Sequence, residues 1–296
     1  MLKKVLFVIN PVSGVHHKMK SQVAELAPDV MNPAAFEVEI VFTTHVGHAT
    51  ELAQRAVEQH FSVVVAVGGD GSINEIARVL VDTPVALAII PLGSGNGLAH
   101  FLKIPFNVKQ ALQVIANNHL VKVDTVMLNE EFFVSVAGIG FDALVARRFA
   151  TEGRRGFLTY LKVVVREYFL YRPKKYHIVA DGVEIVTRAL FITFANSDQF
   201  GYKTTISPTA DICDGKVDIC IVQKVPFWRI PQLAWMVYSR RVDRSKYVQI
   251  IKASEATIER KKGKYLNLDG EPLKFAKALN LKVKPASLNI IVPDTF

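Results

Sequence analysis

The stretch Val63-Val-Val-Ala-Val-Gly-Gly-Asp-Gly-Ser-Ile-Asn-Glu75 decides the fold of the first half of the chain. It is β-branched and apolar up to Val67 and then passes through glycines into helical spacing, so it predicts a buried strand followed by a helix. Gly68, Gly69 and Gly71 let the backbone approach a polyanion, and the helix offers N–H groups and the positive end of its dipole. A phosphate-binding turn is the first functional expectation.

Two side chains add chemistry to this turn. Ser72 can donate a hydroxyl hydrogen bond, whereas a carboxylate repels phosphate unless a cation intervenes, so Asp70 implies Mg2+ or proton handling. The spacing is not that of the P-loop, and Asn74 stands where the dinucleotide motif has its third glycine. A plain glycine turn capped by Asp70 is the alternative.

The same pattern continues on both sides of this stretch. Residues 1–125 alternate strand-like segments (5–9, 36–42, 61–67 and 85–90) with helix-like segments (18–26, 47–59 and 73–81). This alternation predicts a doubly wound α/β domain with a parallel sheet. Two further glycine turns, Asn10-Pro-Val-Ser-Gly14 and Pro91-Leu-Gly-Ser-Gly-Asn-Gly97, follow predicted strands. Three turns at the carboxyl ends of consecutive strands favour a nucleotide-phosphate site.

The second half, residues 126–296, has a different pattern of short β segments. They cover residues 131–137, 176–180, 183–186, 189–195, 216–222, 248–252, 255–260 and 279–283, with helical inserts near 143–170 and 228–238. This predicts a mainly antiparallel sandwich or barrel-like domain. The apolar segment 288–292 could return to either domain.

Composition excludes several classes of protein. The 296 residues are 50% hydrophobic and include only two cysteines, Cys213 and Cys220, so the chain is neither disordered nor built on disulfides or zinc, and a reducing cytoplasm suits it. No apolar stretch approaches the length of a membrane span. The formal charge of +9 is concentrated in residues 126–296, and residues 147–175 hold nine basic and two acidic residues. Such a segment could serve nucleic acid, an anionic membrane or an acidic substrate.

Five motifs together resemble the diacylglycerol kinase-like lipid kinases, a family that includes sphingosine and ceramide kinases. They are Asn10-Pro-Val-Ser-Gly14, Gly68-Gly-Asp-Gly-Ser-Ile-Asn74, Gly93-Ser-Gly-Asn-Gly97, Ser207-Pro-Thr-Ala-Asp-Ile-Cys-Asp-Gly215 and Leu268-Asp-Gly-Glu271. The resemblance covers nearly the whole chain. It implies a nucleotide domain related to NAD kinases and phosphofructokinases, a C-terminal β-sandwich, and a site in the cleft between them.

The resemblance also implies roles for individual residues. In the first domain the nucleotide would be bound by Asn10, Pro11, Val12, Ser13, Gly14, Thr43, Gly68, Gly69, Asp70, Gly71, Ser72, Ile73, Asn74 and Ser94. Thr44 is the alternative to Thr43, and Asp70 would lie near a catalytic Mg2+. In the second domain Asp211, Asp214 and Lys216 match a structural Mg2+ site in which Lys216 contributes its carbonyl oxygen. Asp269 and Glu271 match the segment that supplies the catalytic base, and Glu271 is slightly favoured, although 269–272 alone would suggest a hairpin turn.

One departure from the family pattern concerns the acceptor. Many bacterial diacylglycerol kinases have an aspartate where this chain has Gly97, and the version here is closer to that of sphingosine and ceramide kinases. The expected function is an ATP- and Mg2+-dependent lipid kinase of lipid metabolism and phospholipid biosynthesis. Its acceptor would be diacylglycerol-like or sphingoid-like. An NAD kinase-type phosphotransferase and a catalytically silent lipid- or nucleotide-binding regulator are the rivals.

Residues 224–247 combine aromatic, apolar and basic side chains, including Trp228, Trp235, Tyr238, Arg240 and Arg241. Such a segment suits a protein that approaches a bilayer from the cytoplasm, and core packing of the same aromatics is the alternative. The expected partners are a lipid substrate and a peripheral membrane surface. Nucleic acid is not expected, because no recognition motif accompanies the basic residues. A homodimer is left open.

Overall fold

The computed structural model describes residues 2–11, 17–93, 95–150, 152, 157–198, 204–260, 265–269, 271–274 and 278–296. The chain divides into two compact units. The first consists of Met1–Thr125 and Ala286–Phe296, and the second of Val126–Pro285.

The first unit is an α/β domain. In chain order its elements are β1 (Lys3–Ile9), α1 (His17–Val30), β2 (Phe36–Phe42), α2 (His48–Glu58), β3 (Val63–Gly68), α3 (Asp70–Leu80), β4 (Ala86–Pro91), α4 (Gly97–Phe101) and α5 (Val108–Asn117). The four strands are parallel, in the order β2-β1-β3-β4. Every residue of β3 and β4 is buried, as expected for a parallel sheet covered on both faces. The predicted α/β fold is confirmed.

Helices pack on the two faces of this sheet. On one face Ala27 of α1 and Leu112 of α5 join a core with Phe7 and Val65. The alternate strand residues, such as Val64, point to the opposite face because side chains alternate along a strand. The sheet therefore leaves its strand ends, rather than its faces, available for a ligand.

The second unit is a sandwich of antiparallel strands. Its elements in chain order are β5 (Leu120–Leu128), β6 (Glu131–Phe133), β7 (Val136–Gly140), α6 (Phe141–Ala150), α7 (Phe157–Leu170), β8 (Lys174–Ala180), β9 (Val183–Ala189), β10 (Phe191–Ala195), β11 (Val217–Val222), α8 (Ile230–Tyr238), β12 (Val248–Ala253), β13 (Glu255–Glu259), β14 (Tyr265–Leu268), β15 (Glu271–Lys274) and β16 (Ala278–Ile291). One sheet has the order β12-β11-β10-β7-β14-β15, and the other includes β16, β13, β8 and β9 in that order, with β5 paired to both β16 and β6. Strands β5 and β16 cross the unit boundaries, so their residues 120–125 and 286–291 belong to the first unit. Their shared core includes Phe133, Ile178, Phe194 and Leu266. The predicted antiparallel domain is confirmed.

One segment differs from the sequence expectation, and another settles an alternative that the sequence left open. The predicted strand 131–137 is divided into β6 and β7, because the carboxylate of Asp269 accepts hydrogen bonds from the amides of Val134 and Ser135 and takes them out of the strand ladder. The segment 288–292 returns to the first unit, where Ile290 of β16 pairs with Leu87 of β4.

Candidate active site

The strand-end edge of the first unit, defined as the turns that follow β1, β3 and β4, brings three of the predicted motifs into contact. The amide of Asn10 donates to the carbonyl of Val67 at 3.1 Å, and the amide of Leu92 donates to the carbonyl of Gly68 at 2.8 Å. Because the strands are parallel, their carboxyl ends lie at one edge of the sheet. The turns that the sequence predicted separately are therefore neighbours.

Side chains also connect these turns. Asn10 Nδ2 donates to Ser72 Oγ at 3.1 Å, and Asp70 Oδ2 accepts from the amide of Asn96 at 2.8 Å. Asn96 has a left-handed backbone (φ 54°), and its side chain binds both the amide and the carbonyl of Gly93, at 2.9 and 2.7 Å. The strand-end edge is thus one hydrogen-bonded structure, in which Asp70 positions the turn after β4.

Two glycine backbones pass in close contact at this edge. An ideal Cβ on Gly93 would lie 2.4 Å from Gly69 Cα and 2.8 Å from Asn96 Oδ1. No side chain fits at such distances without a shift of the backbone. Here glycine is required by crowding, and the backbone amides of both turns face the same edge as a result.

Helix α3 begins at this edge with Asp70. Its N-cap residue is Gly69, which has no side chain to accept hydrogen bonds from the first amides of the helix. The first amides of an α-helix have no partner within the helix and attract anions. Ser72 and Ile73 are buried, and the amide of Ile73 already donates to the carbonyl of Gly69 at 3.1 Å, whereas Gly71 and Asn74 are half-buried. Gly71 and Asn74 are therefore the residues at the start of α3 that a ligand can reach.

Thr43 follows β2 and lies beside the Asn10 turn, since its amide donates to the carbonyl of Ile9 at 2.9 Å. The neighbouring Thr44 is exposed and binds His48 Nδ1 through both its amide and its hydroxyl. The structure therefore favours Thr43 over Thr44 for a place at the edge. The predicted nucleotide contacts of Val12, Ser13, Gly14 and Ser94 lie outside the described residues.

Lys20 is a residue at this edge that the sequence reasoning missed. Its side chain is buried, at 3% exposure, and Nζ donates to the carbonyl of Pro11 at 2.8 Å. Burial lowers the pKa of Lys20 below its ordinary value. A buried lysine beside a glycine turn is rare and supplies positive charge where phosphate oxygens would lie. Only its position in the first turns of α1, just after the Asn10 motif, could have pointed to it.

In the second unit, the two predicted base residues lie on the β14–β15 hairpin. Leu268 pairs with Glu271, so Asp269 and Gly270 form the connection, and Asp269 has a left-handed backbone (φ 44°). Asp269 Oδ1 accepts from the amides of Ser135 and Val136 at 3.2 and 2.8 Å. Its Oδ2 accepts a hydrogen bond from the amide of Val134 at 3.2 Å. Both carboxylate oxygens of Asp269 are therefore hydrogen-bonded to backbone amides. The side chain of Glu271 lies outside the description.

A carboxyl group that the sequence analysis overlooked lies next to this hairpin. Asp142 of α6 accepts a hydrogen bond from Asn267 Nδ2 of β14 at 3.0 Å. A Cβ added to Gly138 would lie 1.9 Å from Asp142 Oδ2, so the carboxylate packs directly on β7. Burial raises the pKa of Asp142 to about 6, and the bond from Asn267 offsets part of that rise. No local sequence pattern signals a pair that is 125 residues apart.

Asp142 is expected to make the free energy of unfolding fall as the pH rises from about 4 to about 6. The folded protein holds this proton in that range and the unfolded chain does not, because the folded pKa of about 6 lies above the ordinary pKa of 3.8. The loss is complete above about pH 7 and amounts to about 3 kcal/mol. Asp142→Asn keeps an acceptor for Asn267 and removes this dependence. Urea unfolding at about pH 3.5 and about pH 7.5 measures it.

The matched control is Asp29→Asn on the exposed surface of α1, which should keep the wild-type pH dependence. If Asp142→Asn and Asp29→Asn give parallel stability curves, the charge of Asp142 has no part in the stability change.

The predicted metal loop already contains a cation. Lys252 Nζ lies 2.5 Å from Asp214 Oδ2 and 3.5 Å from Asp218 Oδ1. Burial lowers the pKa of Lys252, but the bonds to these two carboxylates outweigh it and raise the pKa above its ordinary value. Asp211 and Asp214 accept from the backbone amides of Cys213 and Lys216, at 2.9 and 3.0 Å.

A metal ion in this loop would compete with the Lys252 ammonium for Asp214. Metal binding by Asp211, Asp214 and Lys216 stays a prediction. Among the described residues, the grouping compact enough for a cation is His45, His48 and Glu51, after β2. Its two imidazoles are not the oxygen ligands that Mg2+ prefers.

Comparison with known proteins agrees with this architecture. Residues 4–128 match the model of the diacylglycerol kinase catalytic domain, and residues 135–292 match the YegS C-terminal NAD kinase beta sandwich-like domain. An α/β unit followed by an antiparallel sandwich therefore places the chain in the NAD kinase-like class of folds.

Within that class the chain belongs to the diacylglycerol kinase family. A diacylglycerol kinase of Staphylococcus saprophyticus is 27% identical over 92% of this chain and 90% of its own length. One from Staphylococcus aureus (strain bovine RF122 / ET3-1) is 27% identical over 92% of this chain and 87% of its own. Membership implies a kinase that uses ATP.

Solved structures show the same fold. A diacylglycerol kinase from Bacillus anthracis superposes with a TM-score of 0.74 at 20% identity, over 99% of this chain and 98% of that one. An NAD kinase from Archaeoglobus fulgidus in complex with ATP has a TM-score of 0.53 at 14% identity, over 99% and 94% of the two chains. Within the described parts of the chain, each helix is too short or too polar to cross a bilayer.

Proposed function

We propose that the protein is an ATP- and Mg2+-dependent lipid kinase that transfers the γ-phosphoryl group to the hydroxyl of a diacylglycerol-like or sphingoid-like lipid. The observation that carries the proposal is the hydrogen-bonded strand-end edge, in which Asn10, Asp70 and Asn96 connect three glycine turns, in a member of the diacylglycerol kinase family. The relatives named diacylglycerol kinase support a diacylglycerol-like acceptor. Gly97, which follows the sphingosine and ceramide kinase pattern, supports the sphingoid-like one.

The backbone of the strand-end edge binds the nucleotide phosphates in this proposal. Amides of the first turn of α3 and of the Gly69 turn that leads into it supply donors without side-chain entropy loss. Lys20, buried beside Pro11, adds positive charge for the phosphate oxygens. Thr43 and the motif residues at 10–14, 68–74 and 94 complete the nucleotide contacts.

Asp70 is the residue proposed to hold Mg2+. Its carboxylate is a hard oxygen donor placed at a phosphate-binding turn, and Mg2+ in kinases is typically bound by one or two carboxylates together with the substrate phosphates. The hydrogen bond from Asn96 fixes one oxygen of Asp70 in orientation. When bound, the ion neutralises charge on the transferring phosphoryl group.

Glu271 is the residue proposed to accept the proton of the acceptor hydroxyl. A general base needs an oxygen that can approach that hydroxyl. Asp269 directs its two oxygens to the amides of residues 134–136 and fixes the hairpin that carries Glu271. We therefore assign Asp269 a positioning role and Glu271 the role of base.

The exposed aromatic face of the second unit, defined by Phe227, Trp228, Trp235 and Tyr238, is proposed to contact an anionic bilayer. All four side chains are more than half exposed. The guanidinium of Arg241 lies 5.8 Å from the centre of the Trp235 ring. Aromatic rings at headgroup level with cations beside them are the usual pattern of interfacial binding. A membrane surface is where a lipid acceptor would be found.

The proposal is tested by incubating the purified protein with labelled ATP, Mg2+ and a total lipid extract, and identifying the labelled lipid by mass spectrometry. Glu271→Gln should lower the rate by about 10³-fold without changing the melting temperature. Asp269→Asn retains one acceptor oxygen for three amides and should lower both the rate and the melting temperature.

Label transferred to NAD instead of lipid would replace the lipid kinase by an NAD kinase-type enzyme. ATP binding without any labelled product would favour a regulator that binds nucleotide and lipid without turnover. Equal rates for wild type and Glu271→Gln would remove Glu271 from the role of base.

A further inference from the structure

The second unit contains a cavity of about 690 Å³, a size typical of ligand-binding pockets. Residues from α6, β8, β9, β14 and the segments just before β8 and after β13 line it. Six of the lining residues are cationic: Arg147, Arg148, Lys174, Lys175, Arg188 and Arg260. Within the described part of the chain, no carboxylate lines this basic cavity.

Arg148 is compensated by an acidic neighbour. Arg148 Nε lies 3.5 Å from Glu167 Oε1, a carboxylate that is largely buried. Arg147 instead has its guanidinium 4.3 Å from the centre of the Tyr265 ring, and Lys174 has its ammonium 5.7 Å from that of Tyr171. Aromatic faces attract these cations without neutralising their charge.

Two further cations oppose each other directly. Lys175 of β8 and Arg188 of β9 are cross-strand partners in the antiparallel pair. Like charges at directly opposed positions destabilise a sheet. Arrangements that cost stability without a structural gain are typical of binding sites, where a ligand supplies the missing charge.

We propose that the basic cavity binds a phosphate-bearing anion of at least two negative charges, either a phospholipid headgroup or a soluble phosphate compound. A planar guanidinium forms paired hydrogen bonds to phosphate oxygens, and lysine ammonium groups add point charges. Several cations converge on the cavity, and one monovalent carboxylate would leave most of their charge uncompensated. All the residues that line the cavity belong to the second unit.

Ligand binding is tested on the full chain with two probes. Inorganic pyrophosphate is titrated by calorimetry with a non-hydrolysable ATP analogue present in saturating amount, so that the strand-end edge is occupied. Vesicles of phosphatidylcholine with cardiolipin, whose headgroup carries two phosphates, are compared with pure phosphatidylcholine by cosedimentation. Lys175→Gln/Arg188→Gln should weaken binding of at least one probe by about tenfold or more. The control, Lys109→Gln/Lys282→Gln, removes the same charge from exposed positions outside the cavity.

The unliganded Lys175→Gln/Arg188→Gln protein should melt at the wild-type temperature or above it, because an opposed like-charge pair has been removed. Loss of pyrophosphate binding alone identifies a soluble ligand, and loss of vesicle binding alone identifies a headgroup. Equal binding by the cavity and control variants overturns the proposal. So does a wild-type protein that binds neither probe.

Discussion

Replacing Asp70 by asparagine is expected to lower phosphoryl transfer by about 10³-fold while the first unit stays folded. Asparagine keeps the side-chain oxygen that accepts the hydrogen bond from the Asn96 amide, so the turn after β4 remains in place. What disappears is the negative charge, and with it the affinity for a divalent cation beside the phosphates. The loss corresponds to about 4 kcal/mol of transition-state stabilisation.

Steady-state rates of labelled-phosphate transfer, measured together with the melting temperature, check this expectation. Asp29→Asn on the exposed surface of α1 makes the same change of charge and should leave the rate unaltered. If Asp70→Asn retains the wild-type rate, Asp70 serves only as the cap of α3, the alternative that the sequence left open. A large fall in melting temperature would likewise point to a structural role.

Gly93→Ala is expected to have the largest effect on the integrity of the strand-end edge. The added methyl group would lie 2.4 Å from Gly69 Cα and 2.8 Å from Asn96 Oδ1, so one of the two turns must move. Overpacking of this kind costs about 3 kcal/mol of folding free energy. Because the displaced turns carry the amides proposed to bind phosphate, ATP affinity should fall by at least about tenfold as well.

Gly182→Ala provides the comparison for Gly93→Ala. Gly182 has a positive φ of 82° with open space around its α-carbon, so alanine there introduces backbone strain but no clash. That change should cost about 1–2 kcal/mol and leave ATP affinity intact. ATP is titrated into both variants by calorimetry. The comparison separates the effect of a clash at the strand-end edge from the general effect of replacing a glycine. Wild-type ATP affinity in Gly93→Ala would contradict the proposed phosphate site.

The sequence predicted those parts of the structure that depend on local patterns. The β-branched run before Gly68 and the glycine turns identified β3 and the strand-end edge, because strand period and turn chemistry are both visible within a dozen residues. Asn10, Asp70 and the Gly93 turn were recognised in the same way, and the structure places them in contact.

Features that depend on distant pairings could not be predicted. Asp269 removes Val134 from a strand that looked continuous, although the two residues are 135 positions apart. Lys252 reaches Asp214 from 38 positions away, and Asp142 becomes a perturbed carboxyl only when Asn267 and Gly138 are packed against it. Such contacts arise from sandwich packing, which no short sequence window records.

The path of β16 bears on how the chain is made. Ribosomes synthesise the chain from its N-terminus, yet the first unit also includes Ala286–Phe296. Within that segment Ile290 pairs with Leu87 of β4. The first unit's buried hydroxyl pair, Thr125 and Ser287, also joins residues 162 positions apart, at 2.7 Å. The first unit therefore cannot be completed until the residues that follow Pro285 have been synthesised, although its residues up to Thr125 are made first.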